Sequence, residues 1–143
     1  MQEGASEPER LNPRRFIDYL KRFVINKGTV LDEVFVRRAI SALFFALFNY
    51  WGLKIYVKGK REDGPYGDSF RLQTFFEDLL SNGLDYAVYP IFLYRVSADH
   101  YVLNPTRVVL LSRPWKGTQE NVEINYNVLV TLLDLAYDIL EYL

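Results

Sequence analysis

The sequence predicts an all-α protein, an up-and-down bundle of four to five helices, on three observations. The first is the stretch at residues 34–56, VFVRRAISALFFALFNYWGLKIY, where only Ser41 interrupts the apolar residues between Ala39 and Phe48. A helix that is hydrophobic all round is buried on most sides. The second is the recurrence of apolar residues at helical spacing in the segments before and after it. The third is that the connections are mostly short, with no internal repeat and no linker that would divide two domains. Helices in that arrangement bury their apolar faces against one another.

The first helix starts at Asn12-Pro13, a side-chain cap followed by a residue whose fixed φ suits the first turn. It carries Phe16, Ile17, Leu20, Phe23 and Val24 and stops at Asn26-Lys27-Gly28. Thr29 or Asp32 starts the central helix. Its apolar run falls short of the ~20 residues a bilayer span needs, and Arg37, Arg38 and Lys54 flank it. We read it as a core helix, covered by other helices and by a second subunit. Residues 54–58 (KIYVK) alternate, as a frayed helix end or a short strand does. The turn-rich loop at 59–69 contains Gly59-Lys60 but lacks the residue order that wraps a phosphate in backbone amides.

Ser69 caps a third helix through Phe70, Leu72, Phe75, Phe76, Leu79 and Leu80, ended by Asn82-Gly83. A fourth is expected over 85–103, with Pro90 in its first turn or at a kink, ended by Asn104-Pro105. Residues 108–111 read as a short strand, paired with 54–58, or as buried loop. Thr118 is then expected to cap a last helix running to residue 143, with Val122, Leu129, Leu132, Leu133, Ala136, Ile139, Leu140 and Leu143 on one stripe. Residues 1–8 are polar, with Gly, Ser and Pro, and read as disordered. Residues 9–143 then form a single domain.

Composition narrows the chemistry. The 143 residues are 50% hydrophobic and 24% charged, as in an ordinary globular protein, with 16% aromatic. There is no cysteine, which excludes disulfides and thiolate metal sites and favours the cytoplasm. The first fifteen residues contain no apolar stretch of the kind a secretory signal has. Net charge is -1, so attraction of nucleic acid would need a local patch. His100 is the only histidine, and no paired-histidine metal motif exists. No cofactor is expected. Asp134 and Asp138, four residues apart, could share a cation, but read more simply as a solvated helix face. Trp51 and Trp115 could stack on bases, with core packing the simpler role.

Between Tyr86 and Lys116 the only acid is Asp99, against the basic Arg95, Arg107, Arg113 and Lys116. This is the anion-facing region of the chain, with Arg107, Arg113 and Lys116 as phosphate or RNA contacts. At its head stands RVSADHY, residues 95–101. Imidazole titrates near neutral pH and can exchange protons with a 2′-hydroxyl or a leaving oxygen. A guanidinium can hold phosphate oxygens bidentately and stabilise charge growing on phosphorus. An Arg and a His therefore suffice for metal-free RNA cleavage. Five residues apart, they lie about 140° apart around an ideal helix. They meet only if the Arg reaches round, the last turn distorts, or two subunits each contribute a pair. The simpler alternative pairs Arg95 with Asp99 one turn on, while His100 ends the helix or binds a carbonyl.

With the apolar helix RRAISALFFALFNYW, the RVSADHY stretch and the long terminal helix, the chain resembles the HEPN (higher eukaryotes and prokaryotes nucleotide-binding) family. The resemblance implies a helical bundle, a homodimer and an Arg-x(4–6)-His motif at the end of one helix. Many members are metal-independent endoribonucleases, acting as toxins, in defence or in RNA processing. Arg95 and His100 would then be the catalytic pair, supported by Asp99 and Tyr101. The implied partners are RNA or a nucleotide, and a minimal nucleotidyltransferase as antitoxin; no membrane is implied. Val96 stands where active members commonly carry a polar residue, and Tyr101 is one place nearer the His than in the toxin branch. A non-catalytic module that binds nucleotide, RNA or a partner protein is the alternative.

Overall fold

The computed structural model of the protein describes residues 12–57, 67–103 and 106–143. Five α-helices and one β-hairpin make up the described fold: α1 (Pro13–Lys27), α2 (Glu33–Val57), α3 (Leu72–Ser81), α4 (Asp85–His100), β1 (Thr106–Val109), β2 (Gln119–Val122) and α5 (Tyr126–Tyr142). The protein is therefore a helical bundle with a small antiparallel sheet. Residues 1–8, most of the 59–69 loop with Gly59-Lys60, and Asn104-Pro105 lie outside the described residues.

Local chemistry sets most boundaries. Asn12 Oδ1 accepts from Arg14 N at 2.9 Å, and Gly28, at φ +65°, ends α1 where an L side chain would be strained. Of the two candidate starts for α2, Asp32 is the cap, its Oδ1 accepting from Phe35 N at 2.9 Å. Of the alternating 54–58 segment, residues 54–57 continue the helix to Val57, and Lys58 lies outside the described residues. Gly83, at φ +76°, terminates α3 as expected.

Four expectations need correction. Ser69 does not occupy the cap of α3: the helix begins at Leu72, with Arg71 in the cap position and no side-chain capping bond. Helix α4 ends at His100, not 103, and Pro90 stands sixth in it, beyond the first turn. Thr118 caps no helix. The segment after it, QENV, is strand β2, and α5 starts at Tyr126 under Asn125, whose Oδ1 accepts from Val128 N at 3.0 Å. Finally, β1 pairs with β2, Thr106 opposite Val122 and Val109 opposite Gln119, rather than with residues 54–58. Val122 and Ile124 are buried while Glu123 between them is exposed, an alternation of period two that belongs to extended chain.

Helix α2 packs against all four other helices. By length and composition its Glu33–Ile55 stretch could cross a membrane; 56% of the most apolar window is buried within the fold. Phe44, fully buried, lies within 6.4 Å of the rings of Phe75, Phe76 and Phe92, so one side chain ties α2 to α3 and α4. Trp51 is buried and donates Nε1–H to Asp78 Oδ2 at 2.7 Å, a core role and not a base-stacking one. Trp115 packs on Phe76 and Tyr89, at 4.9 and 5.3 Å, and so fixes the hairpin loop to α3 and α4.

Tyrosine–carboxylate pairs link the helices at the rim of the core. Tyr137 donates to Asp18 between α5 and α1, Tyr142 to Asp78 at 2.9 Å between α5 and α3, and Tyr86 to Asp138 at 2.8 Å between α4 and α5. Burial, reinforced by the carboxylates, pushes the Tyr137 and Tyr142 hydroxyls up to about 12. A phenol whose pKa is higher in the fold than in the unfolded chain holds its proton more tightly when folded. Its stabilising contribution is complete below about pH 10 and is lost as pH rises toward about 12. Urea midpoints should fall across that window, and the fall should be shallower in Tyr137→Phe and Tyr142→Phe. In the core, Phe44→Ala should cost about 3–5 kcal/mol in the same assay.

Candidate functional site

The C-terminal turn of α4 is held from outside by two arginines of α2. Arg37, only 8% exposed, donates Nη1–H to the carbonyls of Ser97 at 3.0 Å, Ala98 at 3.3 Å and Tyr101 at 2.5 Å, and Nη2–H to Val102 at 3.4 Å. Its Nε binds Glu33 Oε2 at 2.7 Å, one turn back on α2. The last carbonyls of a helix have no partners within it. Here a guanidinium supplies them, which is why the helix can stop at His100 without the Asn-Pro signal further on.

Arg38, on the neighbouring face, reaches Ala98 O at 3.2 Å and Asp99 Oδ1 at 2.9 Å. Ser41, three residues on and so on the same side of α2, donates to Asp99 Oδ2 at 3.2 Å. Asp99 therefore faces α2. Arg95 Nε lies 3.0 Å from Asp99 Oδ2 as an ion pair, though its N–H is not aligned for a hydrogen bond. The Arg95 guanidinium also sits over the rings of Phe45 and Phe44, at 4.9 and 5.7 Å. The one-turn Arg95–Asp99 pair anticipated from the sequence is thus present. Two guanidiniums share one carboxylate, and this triad retains one uncompensated positive charge.

Arg95 and His100 nonetheless line the same cleft, of about 340 Å³, with Val96 and Tyr101. They do so although five residues apart on α4, His100 being its last residue and Tyr101 already extended. His100 is exposed to solvent. The opposite wall comes from the hairpin, through Val109, Leu111 and Ser112, and from Leu72 at the start of α3. Tyr101 holds that wall in place: its hydroxyl accepts from Val109 N at 3.3 Å and contacts Val109 O at 3.5 Å.

The remaining sequence candidates lie elsewhere. Arg107 is exposed on β1 and donates to Gln119 across the hairpin. Arg113 and Lys116 are exposed on the hairpin loop and do not line the cleft. Asp134 is exposed and Asp138 accepts from Tyr86; among the described residues no group of three side chains is placed to hold a metal ion. Sequence reasoning missed Arg37 and Arg38 as anchors of the α4 end, although two adjacent arginines opening an apolar helix were a visible signal. Nothing local marked Leu72 or Leu111 as cleft residues.

No family model matches the chain, and neither characterised proteins nor solved structures give a match.

Removing Arg37 would leave several carbonyls and Glu33 without their partner. Arg37→Leu should destabilise the fold by about 3 kcal/mol in urea unfolding. It should also raise amide hydrogen exchange selectively between Ser97 and Tyr101.

Proposed function

We propose that the cleft reads phosphate and that the protein is a HEPN-like, metal-independent endoribonuclease. The observation that carries this is that Arg95 and a solvent-exposed His100 line one cleft. With Nε turned to Asp99, the terminal Nη groups of Arg95 are the ones a phosphate would meet. In the proposed step His100 takes the proton of a ribose 2′-hydroxyl, and the 2′-oxygen attacks the adjacent phosphorus. The bond from phosphorus to the 5′-oxygen breaks, that oxygen takes a proton from water, and a 2′,3′-cyclic phosphate remains. Arg95 stabilises the charge that builds on the non-bridging oxygens. A homodimer, a cytoplasmic setting and a nucleotidyltransferase partner belong to the same proposal by resemblance.

A second reading, a binding module without turnover, has its own support. Arg95 is held against Asp99 and two phenylalanine rings, an arrangement suited to fixing a phosphate in place. The two readings separate in an RNA cleavage assay run in EDTA. The ribonuclease reading expects 2′,3′-cyclic ends from the wild-type protein. His100→Ala should then lower the rate by about 10²–10⁴ and Arg95→Ala by about 10²–10³. Binding of RNA without cleavage, weakening steeply with salt, would favour the module. Equal cleavage by all three proteins would exclude both residues.

A further inference from the structure

We infer that the same cleft carries a subsite for one nucleobase, formed by the hairpin, so that its ligand is a single splayed-out nucleotide and not a bare phosphate. The inference rests on the phosphate reading of Arg95 and His100 and adds what lies beside them. The rest of the lining is mostly apolar: Leu72 from α3, Val96 from α4, Tyr101, and Leu111 from the hairpin loop. Small-molecule sites have this composition, mostly apolar with a few polar groups that fix orientation, and 340 Å³ falls at the lower end of their range.

Leu111 is the telling residue. It is 77% exposed, a large aliphatic side chain at the edge of a cleft, while Leu110 beside it is buried at 1%. The hairpin that presents it is braced on both sides, by Tyr101 on Val109 and by Trp115 on Phe76 and Tyr89. An apolar group on a braced hairpin, lining the same cleft as a cationic one, matches the two halves of a nucleotide, a flat base of low polarity on its faces and a phosphate. The net positive charge of the Arg38–Asp99–Arg95 triad supplies the complement for the phosphate half. A base can enter only when it is unstacked, so an unpaired nucleotide is the ligand class.

Isothermal titration calorimetry with AMP, ribose 5-phosphate and inorganic phosphate tests this directly. Because Leu111 is exposed, Leu111→Ser leaves the fold intact. Wild-type protein should bind AMP about tenfold or more tightly than ribose 5-phosphate. Leu111→Ser should remove that preference without weakening ribose 5-phosphate, whereas Arg95→Ala should weaken all three. Equal affinity for AMP and ribose 5-phosphate, both dependent on Arg95, would overturn the base subsite and leave the phosphate site standing. A preference for AMP that survives Leu111→Ser would overturn the role given to the hairpin. No binding of any of the three would overturn the subsite and the phosphate reading together.

Discussion

One buried guanidinium sets the geometry on which the rest of the site depends. Arg37 is buried in the long apolar central helix, and taking a charge out of water costs several kcal/mol unless its hydrogen-bonding groups are met. The fold meets them with four carbonyls from the end of α4 and its continuation, and with the Glu33 carboxylate. The exchange works both ways, since those carbonyls would otherwise be unpartnered at a partly buried helix end. Helices α2 and α4 are thereby locked in axial register as well as packed side by side. His100 is consequently the final residue of α4, on the cleft that Arg95 also lines.

A second layer of constraint comes from aromatic packing. Phe44 joins α2 to α3 and α4, while Trp115 carries the hairpin onto the same cluster. Tyr101 does for the hairpin's strand what Trp115 does for its loop, using its hydroxyl on the Val109 backbone. A cleft between a helix end and a hairpin would ordinarily be mobile. Bracing from both sides gives it fixed walls, which is what orienting a ligand requires. Asp99, Arg38 and Ser41 complete the support on the far side of Arg95, so the guanidinium is steadied by a carboxylate that does not itself line the cleft.

The sequence made the helices legible wherever a local signal ended them. Asn12-Pro13, Gly28 and Gly83 act through their own backbone preferences, and each boundary falls where those preferences place it. Boundaries set by distant groups were not legible. The stop at His100 depends on Arg37, some sixty residues earlier, so the more visible Asn104-Pro105 signal misled. At 119–124, two buried residues in alternation were too short a pattern to separate from the helical stripe that follows. The site divided in the same way. Arg95 and His100 share one helix end and could be found by spacing, whereas Leu72, Leu111 and Ser112 reach the cleft only through the packing of α3 and the pairing of β1 with β2.

Because His100 is the only histidine in the chain, its imidazole carbon-bound protons give an isolated pair of NMR signals. Titrating inorganic phosphate while following those signals tests most directly whether Arg95 and His100 form one anion site. A saturable shift in the wild-type protein that disappears in Arg95→Ala, with the fold retained, is the expected result. A shift that persists unchanged in Arg95→Ala, or no shift at any phosphate concentration, would contradict it.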